Sequence, residues 1–200
     1  MHDDRPVVVK VGGSLFELPD LAPRLGAWLS QLACPRVLLV PGGGAAADVV
    51  RRLDQVHHLG EEVSHWLALR AMTLSAHFLA GLLPTGRVVR SLGECPAVWA
   101  SQQFPILDAH VFALADEGQP GCLPYRWEVT SDSIAARVAV IAGAGRLILL
   151  KSIDIPVGTD WAEGGRRGWV DGYFGEVLKG SELVVEAVNL RQGLVARARD

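Results

Sequence analysis

Two glycine-rich turns, each directly after a short apolar run, are the first candidates for chemistry in this sequence. They read Lys10-Val11-Gly12-Gly13-Ser14 and Pro41-Gly42-Gly43-Gly44. Glycine lets the backbone turn tightly and approach a ligand without a Cβ atom, and free N–H groups at the start of a following helix bind anions. Lys10 would add a mobile positive charge. The alternative is a pair of ordinary strand-to-helix turns beside a surface lysine.

Two later segments carry charged and hydroxyl side chains at the ends of regular elements. Thr130-Ser131-Asp132-Ser133 opens an apolar helix, where Ser131 fits an N-cap and Asp132 suits the positive helix end. The functional alternative is that the Asp132 carboxylate orients a catalytic lysine or a metal-bound nucleotide. Lys151-Ser152-Ile153-Asp154 follows a buried strand, either as a surface turn or in the crevice where open α/β sheets bind ligands.

Two other nucleotide-binding patterns fit the sequence poorly. Gly42-x-Gly44-x-x-Ala47 matches a relaxed dinucleotide-binding fingerprint, and Glu61 or Glu62 lies about 20 residues further on. That acid should end the next strand to reach a ribose, but here it begins a long helical pattern. The P-loop NTPases are excluded because the sequence contains no GxxxxGK(S/T) pattern. A dinucleotide-dependent oxidoreductase is therefore a remote alternative.

Histidines and cysteines do not form a metal-binding pattern. A zinc site needs three or four convergent ligands, and the sequence has neither HExxH nor a cysteine near its histidines. We predict no protein-bound metal and interpret the cysteines as reduced thiols. If one histidine is functional, the best candidate is His65, in contact with a substrate. The histidines around the long helix are His57, His58, His65 and His77, and the cysteines are Cys34, Cys95 and Cys122.

The elements that must position these residues alternate between strands and helices, which predicts a parallel sheet covered on both faces. We therefore expect a three-layer α/β/α sandwich. Residues 92–126 resist assignment because prolines interrupt short apolar pieces, and residues 156–168 indicate a surface loop or hairpin. The predicted strands are 7–11, 36–40, 86–90, 146–150 and 183–188. The predicted helices are 19–33, one from Ala45 with Val49, Val50 and Leu53 on one side, 61–83, 130–142 and 173–178.

Composition limits the function classes further. The 200 residues are 50% hydrophobic and 20% charged, with a net charge of -3, which excludes a disordered chain and makes nucleic acid an unfavourable partner. We expect one domain over residues 1–200. The polar, acidic start lacks the features of a signal peptide, and no apolar stretch approaches the roughly 20 residues of a membrane span. These features predict a cytoplasmic protein without a membrane partner.

Taken together, the four segments resemble the amino acid kinase superfamily, which includes acetylglutamate, carbamate, uridylate and isopentenyl phosphate kinases. Residues 10–14 are similar to its first phosphate loop and residues 41–44 to its acceptor loop. Residues 130–136 match the segment that carries the family aspartate, and residues 151–154 resemble the lysine segment beside the nucleotide. One departure is that Asp154 is followed by Ile155-Pro156 rather than glycine, which affects the expected adenine contacts of residues 152–168.

The resemblance implies phosphoryl transfer from ATP with Mg2+ to a small anionic acceptor. It implies that Lys10 and Lys151 stabilise the transferring phosphoryl group and that Asp132 orients both lysines. The implied nucleotide-binding and phosphate-binding residues are Gly12, Gly13, Ser14, Ser152 and Asp154. The implied acceptor-binding residues are Gly42, Gly43, Gly44 and His65.

Finer features resemble the compact branch that contains aminomethylfuran phosphate kinases of methanofuran biosynthesis. They are the short chain, the stretch from His57 to Trp66, Val170-Asp171-Gly172-Tyr173-Phe174 and the late Asn189-Leu190-Arg191. This branch implies a phosphate monoester as the acceptor, such as aminomethylfuranylmethyl phosphate. A carboxylate acceptor and a catalytically silent nucleotide-binding or metabolite-binding regulator are the alternatives.

Two further expectations concern the long helix and the arginines around it. The helix 61–83 carries Trp66 and Phe78 and either supplies a homodimer face, as the resemblance implies, or packs into its own core. Three arginines could help to hold a dianionic acceptor, although a solvated helix face explains them equally well. They are Arg51, Arg52 and Arg70.

Overall fold

Six parallel strands form the centre of the fold in a computed structural model that describes residues 4–32 and 34–192. The strands are β1 (Val7–Val11), β2 (Val37–Pro41), β3 (Gly86–Val89), β4 (Phe104–Leu107), β5 (Arg146–Lys151) and β6 (Val184–Asn189). Their order across the sheet is β3-β4-β2-β1-β5-β6, and each adjacent pair runs parallel. The predicted parallel sheet is confirmed.

Eight helices connect and cover the strands in the described part of the chain. They are α1 (Leu21–Gln31), α2 (Gly44–His57), α3 (Glu61–Leu82), α4 (Cys95–Ala100), α5 (Ala109–Asp116), α6 (Ser131–Ile141), α7 (Trp161–Arg166) and α8 (Phe174–Leu178). A 3-10 turn, Gly13–Glu17, follows β1 directly. Among the described residues, none of these helices is both long and apolar enough to cross a membrane.

Both faces of the sheet are buried, which explains why its central strands are unbroken apolar runs. All five residues of β1 and of β2 are buried. Alternate side chains of the strands enter two separate clusters, one on each face of the sheet. Val8, Leu147 and Leu149 share a cluster with α6. Val9 and Ile148 share the other cluster with α1. Each fully buried aliphatic side chain stabilises the fold by about 1.5–3 kcal/mol relative to exposure. The three-layer α/β/α architecture is confirmed.

Alternation along the two central strands also determines where the lysines lie. Lys10 follows Val8 on the face that α6 covers, and Lys151 follows Leu149 on the same face. Since β1 and β5 are adjacent and parallel, both lysines lie at one carboxyl edge of the sheet. This is the edge at which open α/β sheets bind ligands.

The helices after β2 bury different residues from those that simple periodicity singles out. On α3 the buried residues include His65, Leu69, Met72 and Leu79. Helical spacing predicts one apolar stripe through Val63, Leu67, Ala71, Leu74, Phe78 and Leu82. Three residues of that stripe are exposed, namely Val63, Leu74 and Phe78. On α2 only Val50 is buried among its described residues. The side of α2 that carries Val49, Val50 and Leu53 is therefore not a common core face, because Val49 and Leu53 are exposed.

Three local expectations are corrected by the structure. The unassigned stretch 92–126 contains β4, which the proline at position 105 concealed, because proline normally interrupts a strand. Residues 156–168 are not only loop, since they include α7. Ser131 is the first residue of α6 rather than its N-cap, a position that Thr130 occupies.

Candidate active site

Three charged side chains meet at the carboxyl edge of β1 and β5: Lys10 and Asp132 are buried, and the Lys151 side chain is 12% exposed. The Lys10 ammonium lies 2.9 Å from Asp132 Oδ1, and Lys151 Nζ donates to Asp132 Oδ2 at 2.6 Å. Lys10 and Asp132 are 4% and 5% exposed. Asp132 therefore bridges two lysines that come from adjacent strands, and its side chain does not cap its own helix.

Electrostatics within this cluster leave a net positive charge. Burial alone would raise the pKa of Asp132, but Lys10 and Lys151 together hold it below its usual value, so the carboxylate is ionised. Burial, and then repulsion from Lys10, lowers the pKa of Lys151 to about 8. Two ammonium groups and one carboxylate thus carry one excess positive charge in a site largely shielded from water, which suits a phosphate ligand.

The two glycine turns touch each other through their backbones. A Cβ atom on Gly13 would lie 2.2 Å from the backbone nitrogen of Gly44, and one on Gly42 would lie 2.8 Å from the nitrogen of Gly13. Gly44 also has a positive φ of 54°, which side chains rarely adopt. A Cβ on Gly12 would collide with the carbonyl oxygen of Leu150 at 2.7 Å. Glycine is thus required for the close approach of the turns, independently of any ligand.

The residues after β5 lie beside the first turn, and Ser152 and Asp154 have different hydrogen-bond partners. Ser14 and Ser152 share a hydrogen bond between their hydroxyl oxygens at 2.9 Å, which joins the first glycine turn to the end of β5. Asp154 accepts hydrogen bonds from the side-chain amides of Asn189 and Gln192 at 3.1 and 2.6 Å. Its carboxylate therefore already serves to attach the end of β5 to the segment after β6.

A cavity of about 240 Å³ opens beside the second turn. Two helix N-termini reach it, because its lining includes Gly43 and Gly44 at the start of α2 and Ser131 at the start of α6. The start of α2 carries partial positive charge and free N–H groups, whereas at the start of α6 the Asp171 carboxylate already accepts from the N–H groups of Thr130 and Ser133. Its rim carries Arg51 and Arg126, while Arg52 and Arg70 are not among its lining residues. Its floor is apolar and consists of Ala68, Leu69, Met72, Val129 and Ile134.

His65 forms part of the cavity wall. Burial lowers the pKa of His65, an effect that its hydrogen bond with the Arg126 backbone only partly offsets, so the ring is neutral at pH 7. Its ring lies 5.5 Å from that of Tyr125. The structure thus brings His65 to the same cavity as Gly13, Ser14, Gly43 and Gly44. Lys10, Asp132 and Lys151 form the lysine cluster. The remaining predicted residues, Gly12, Gly42, Ser152 and Asp154, are not among the lining residues of the cavity.

The loop before α6 closes the other side of the cavity. The Trp127 indole N–H donates to Asp54 Oδ2 on α2 at 2.9 Å, and Arg51 stacks over the same ring, 5.6 Å from its centre. The hydrogen bond from Trp127, more than any other contact, lowers the pKa of Asp54. The sequence reasoning assigned no role to Trp127 or Arg126, because nothing local indicates that this loop folds back onto α2.

Asp171 is a further residue without a predicted role. It lies between α7 and α8, and its carboxylate accepts hydrogen bonds from the first turn of α6, including the backbone nitrogens of Thr130 and Ser133 at 3.0 and 2.9 Å. It thereby supplies the cap that Thr130 does not provide with its own side chain.

The small number of lysines in the sequence already points to the site residues. The chain has 16 arginines but three lysines, and two of these are Lys10 and Lys151. Most of the basic residues are therefore arginines, whereas the cluster around Asp132 uses the more compact ammonium group of lysine.

Within the described residues, no group of three or more His, Cys, Asp or Glu side chains is arranged to hold a metal ion.

Comparison with known proteins agrees with this geometry. The model of the amino acid kinase family matches residues 5–155, which include both glycine turns, Asp132 and Lys151. The chain belongs to the amino acid kinase family. The sequence-based resemblance to this family is confirmed.

Among relatives of this amino acid kinase family member is the (5-(aminomethyl)furan-3-yl)methyl phosphate kinase of Methanocaldococcus jannaschii, 24% identical over 148 residues. The match covers 74% of this chain and 66% of that relative, slightly less than two thirds of its length. Similar solved structures are the uridylate kinase of Archaeoglobus fulgidus, with a TM-score of 0.63 and 18% identity, and the UMP kinase of Bacillus anthracis, with 0.66 and 14%. These alignments cover 94% of this chain and 92% and 89% of those structures.

Proposed function

We propose that the protein is an ATP-dependent kinase that transfers the γ-phosphoryl group to a small phosphate monoester and forms a diphosphate. The single observation that carries this proposal is the buried cluster of Lys10, Asp132 and Lys151 beside two touching glycine turns. The kinase names of the relative and of the structural neighbours support it.

Phosphoryl transfer needs alignment and charge neutralisation more than covalent participation by the protein. An oxygen of the acceptor phosphate forms a bond to the γ-phosphorus, and the bond from that phosphorus to the β,γ-bridging oxygen breaks, which releases ADP. Lys10 and Lys151 stand where they can neutralise charge on the transferring oxygens. Asp132 holds both ammonium groups in place, and the backbone N–H groups of the glycine turns orient the two reactants.

The donor side of the site is the first glycine turn together with the end of β5. Gly13 and Ser14 supply backbone N–H groups, whereas the N–H of Gly12 donates to the Leu150 carbonyl at 2.9 Å, so Gly12 acts by shaping the turn. Ser152 lies within hydrogen-bond distance of Ser14. Asp154 holds Asn189 and Gln192, so we assign it an indirect role in shaping this side. Magnesium enters as the MgATP substrate, coordinated by phosphate oxygens and water.

The acceptor side is the cavity next to Gly42, Gly43 and Gly44. The N-terminus of α2 and the guanidinium groups of Arg51 and Arg126 favour a dianion, and the apolar floor favours an alkyl or aryl body. A neutral His65 on the wall adds a polar contact. Together with the printed name of the relative, these features make aminomethylfuranylmethyl phosphate the leading candidate acceptor.

A substrate panel tests the proposal. ADP release would be measured with aminomethylfuranylmethyl phosphate, isopentenyl phosphate, UMP, acetylglutamate and carbamate. Lys10→Ala serves as the inactive control, because loss of one electrostatic contact costs on the order of 10² to 10³ in rate. Lys179→Ala is the matched control, since this third lysine is exposed and pairs only locally with Glu176 among the described residues.

The outcomes of the panel separate the alternatives. Turnover with a phosphate monoester, abolished in Lys10→Ala and intact in Lys179→Ala, is the expected result. Turnover confined to acetylglutamate or carbamate would reject the phosphate-monoester acceptor and retain the kinase. Binding of ATP without turnover of any acceptor would favour a silent nucleotide-binding regulator, and absence of both would reject the kinase altogether.

We also propose that a second copy of the chain covers the outer face of the long helix. Trp66 packs inward against Tyr125 and His110, but the opposite side of α3 and the neighbouring α2 expose large apolar side chains. Exposed stripes of this kind mark interaction surfaces. The large apolar residues at least 44% exposed on these two helices are Val49, Leu53, Val56, Val63, Leu74 and Phe78.

A further inference from the structure

The carboxylate of Asp171 is fully occupied by one task. One oxygen accepts hydrogen bonds from Thr130 N, Thr130 Oγ1 and Ser133 N at 3.0, 2.9 and 2.9 Å. The other accepts from the Ser133 hydroxyl and from Tyr173 N at 3.2 Å. Four of these five hydrogen bonds come from the start of α6. Asp171 is therefore saturated as an acceptor and is not available to a nucleotide or a metal ion.

The segment that carries Asp171 is itself held in place by the core. Its neighbours Val170 and Phe174 are 4% and 0% exposed and belong to the same apolar cluster as α6. Asp171 thus connects two parts of the chain that are about 40 residues apart in sequence and packed against each other in space. A cap supplied by a distant, anchored segment restrains the helix more firmly than a flexible N-cap side chain of the helix itself.

The position of this cap matters because Asp132 belongs to the helix turn that Asp171 caps. Asp132 is between Thr130 and Ser133, the two residues that Asp171 binds. Any rotation of this first turn would move the Asp132 carboxylate away from Lys10 or Lys151. A misplacement of about 1 Å is enough to cost on the order of 10²-fold in rate when it affects reacting groups.

We propose that Asp171 is a positioning residue for phosphoryl transfer: by capping α6 from outside, it fixes Asp132 where it bridges Lys10 and Lys151. This inference rests on the proposed kinase function. Asp171 touches neither substrate in this arrangement and acts through Asp132 and through its own charge.

The negative charge of Asp171 also affects the pKa of Lys151, which a purely structural cap would leave unchanged. The charged groups that face Lys151 are Lys10 from β1, Asp132 from α6 and Asp171 from the α7–α8 segment. Burial and Lys10 lower the pKa of Lys151 to about 8, while Asp132 and Asp171 oppose this shift. Loss of the Asp171 charge should lower that pKa further. Since the protonated lysine is the active form, the alkaline limb of the rate profile should then move to lower pH.

The test compares Asp171→Asn with Ser133→Ala and Asp160→Asn. For Asp171→Asn we expect kcat to fall about 10- to 100-fold with little change in either KM, and the alkaline limb to move to lower pH. Ser133→Ala removes one donor to Asp171 and leaves the charge in place, so kcat should fall by less and the limb should stay. Asp160→Asn is the matched control, because the Asp160 carboxylate caps α7 and, within the described residues, accepts a hydrogen bond from Ala162 N.

A second measurement is independent of catalysis. NMR with isotope-labelled lysine follows three side chains, and the exposed Lys179 serves as the internal reference. A lower pKa of Lys151 in Asp171→Asn, with the Lys179 titration unchanged, supports the inference. An unchanged Lys151 titration together with wild-type kcat would overturn it while the kinase function stands. If Asp171→Asn does not fold, a wild-type kcat in Ser133→Ala overturns it instead.

Discussion

At the scale of single residues, the site depends on one buried carboxylate between two ammonium groups. If Asp132 were only a helix cap, its replacement by asparagine would cost little stability, because asparagine also accepts hydrogen bonds from helix N–H groups. If Asp132 bridges Lys10 and Lys151, the same replacement is costly, because it leaves two positive charges facing each other without a counter-charge. The two interpretations of Asp132 that the sequence left open therefore differ in measurable ways.

We predict that Asp132→Asn lowers kcat by at least about 100-fold. Without Asp132 the pKa of Lys151 falls below about 8, so this lysine loses its proton near neutral pH. A lysine whose folded-state pKa is depressed binds fewer protons than in the unfolded chain, so stability rises with pH between the two pKa values. The deficit in the free energy of unfolding should thus shrink as pH rises from 6 to 8. Chemical denaturation across this range measures it, and a small, pH-independent deficit with unchanged kcat would restore the cap interpretation.

At the scale of elements, the two glycine turns form one unit. Gly13 and Gly44 are in backbone contact, so the loops that we assign to donor and acceptor share a wall. A methyl group at this contact must displace one loop from the other. This requirement comes from packing alone and holds before any ligand binds.

We expect Gly13→Ala to reduce both stability and turnover. Overpacking against backbone costs about 1–3 kcal/mol, and displacement of either loop disturbs the alignment of donor and acceptor. Gly26→Ala is the matched control, because nothing lies within 4 Å of a Cβ there and its helical conformation tolerates alanine. That control should gain about 0.5–1 kcal/mol and keep its activity. Equal stability of the two variants in thermal unfolding would contradict the prediction.

The loop before α6 should control the acceptor rather than the nucleotide. We predict that Trp127→Ala raises KM for the acceptor at least about 10-fold, because the cavity loses a wall and Arg51 loses its stacking partner. KM for ATP should stay within a factor of two or so. Trp127→Phe keeps a ring but loses the N–H bond to Asp54, and its effect should be intermediate. Steady-state kinetics with each substrate varied in turn decides this, and a rise in KM for ATP alone would contradict the assignment.

How far the sequence predicts these elements depends on whether their signal is local. The strands β1, β2 and β5 were predicted because a strand buried on both faces is a continuous apolar run. The sequence does not predict the strand β4, because Pro105 resembles a break. The predicted apolar stripe of α3 differs from its buried face, because that face includes the polar residues Ser64, His65 and Ser75 beside apolar ones. Lys10, Asp132 and Lys151 were found as motifs, but no local pattern reveals that Asp171 caps α6 or that Trp127 reaches Asp54.

At the scale of the whole molecule, the dimer that we propose depends on the exposed apolar residues of α2 and α3. We predict that Leu74→Glu converts a dimer into a monomer of 21.4 kDa, because the charge would have to be buried against the partner. Leu74 is 62% exposed, so the fold of the single chain should not change. Leu114→Glu on α5 is the matched control, since Leu114 is 48% exposed outside this face. Sedimentation of both variants provides the measurement, and a monomeric unmodified protein would reject the dimer.

The sheet order also has a consequence for how the chain acquires its structure during synthesis. The first strand, β1, lies in the interior of the sheet, between β2 and β5. One edge of β1 therefore stays unpaired on the ribosome until residues 146–151 emerge. By then both glycine turns, which follow β1 and β2, have long been synthesised. Non-local pairing of this kind slows folding and leaves an apolar edge open to aggregation. The same late strand carries Lys151, so the cluster of Lys10, Asp132 and Lys151 is complete only once β5 has paired with β1.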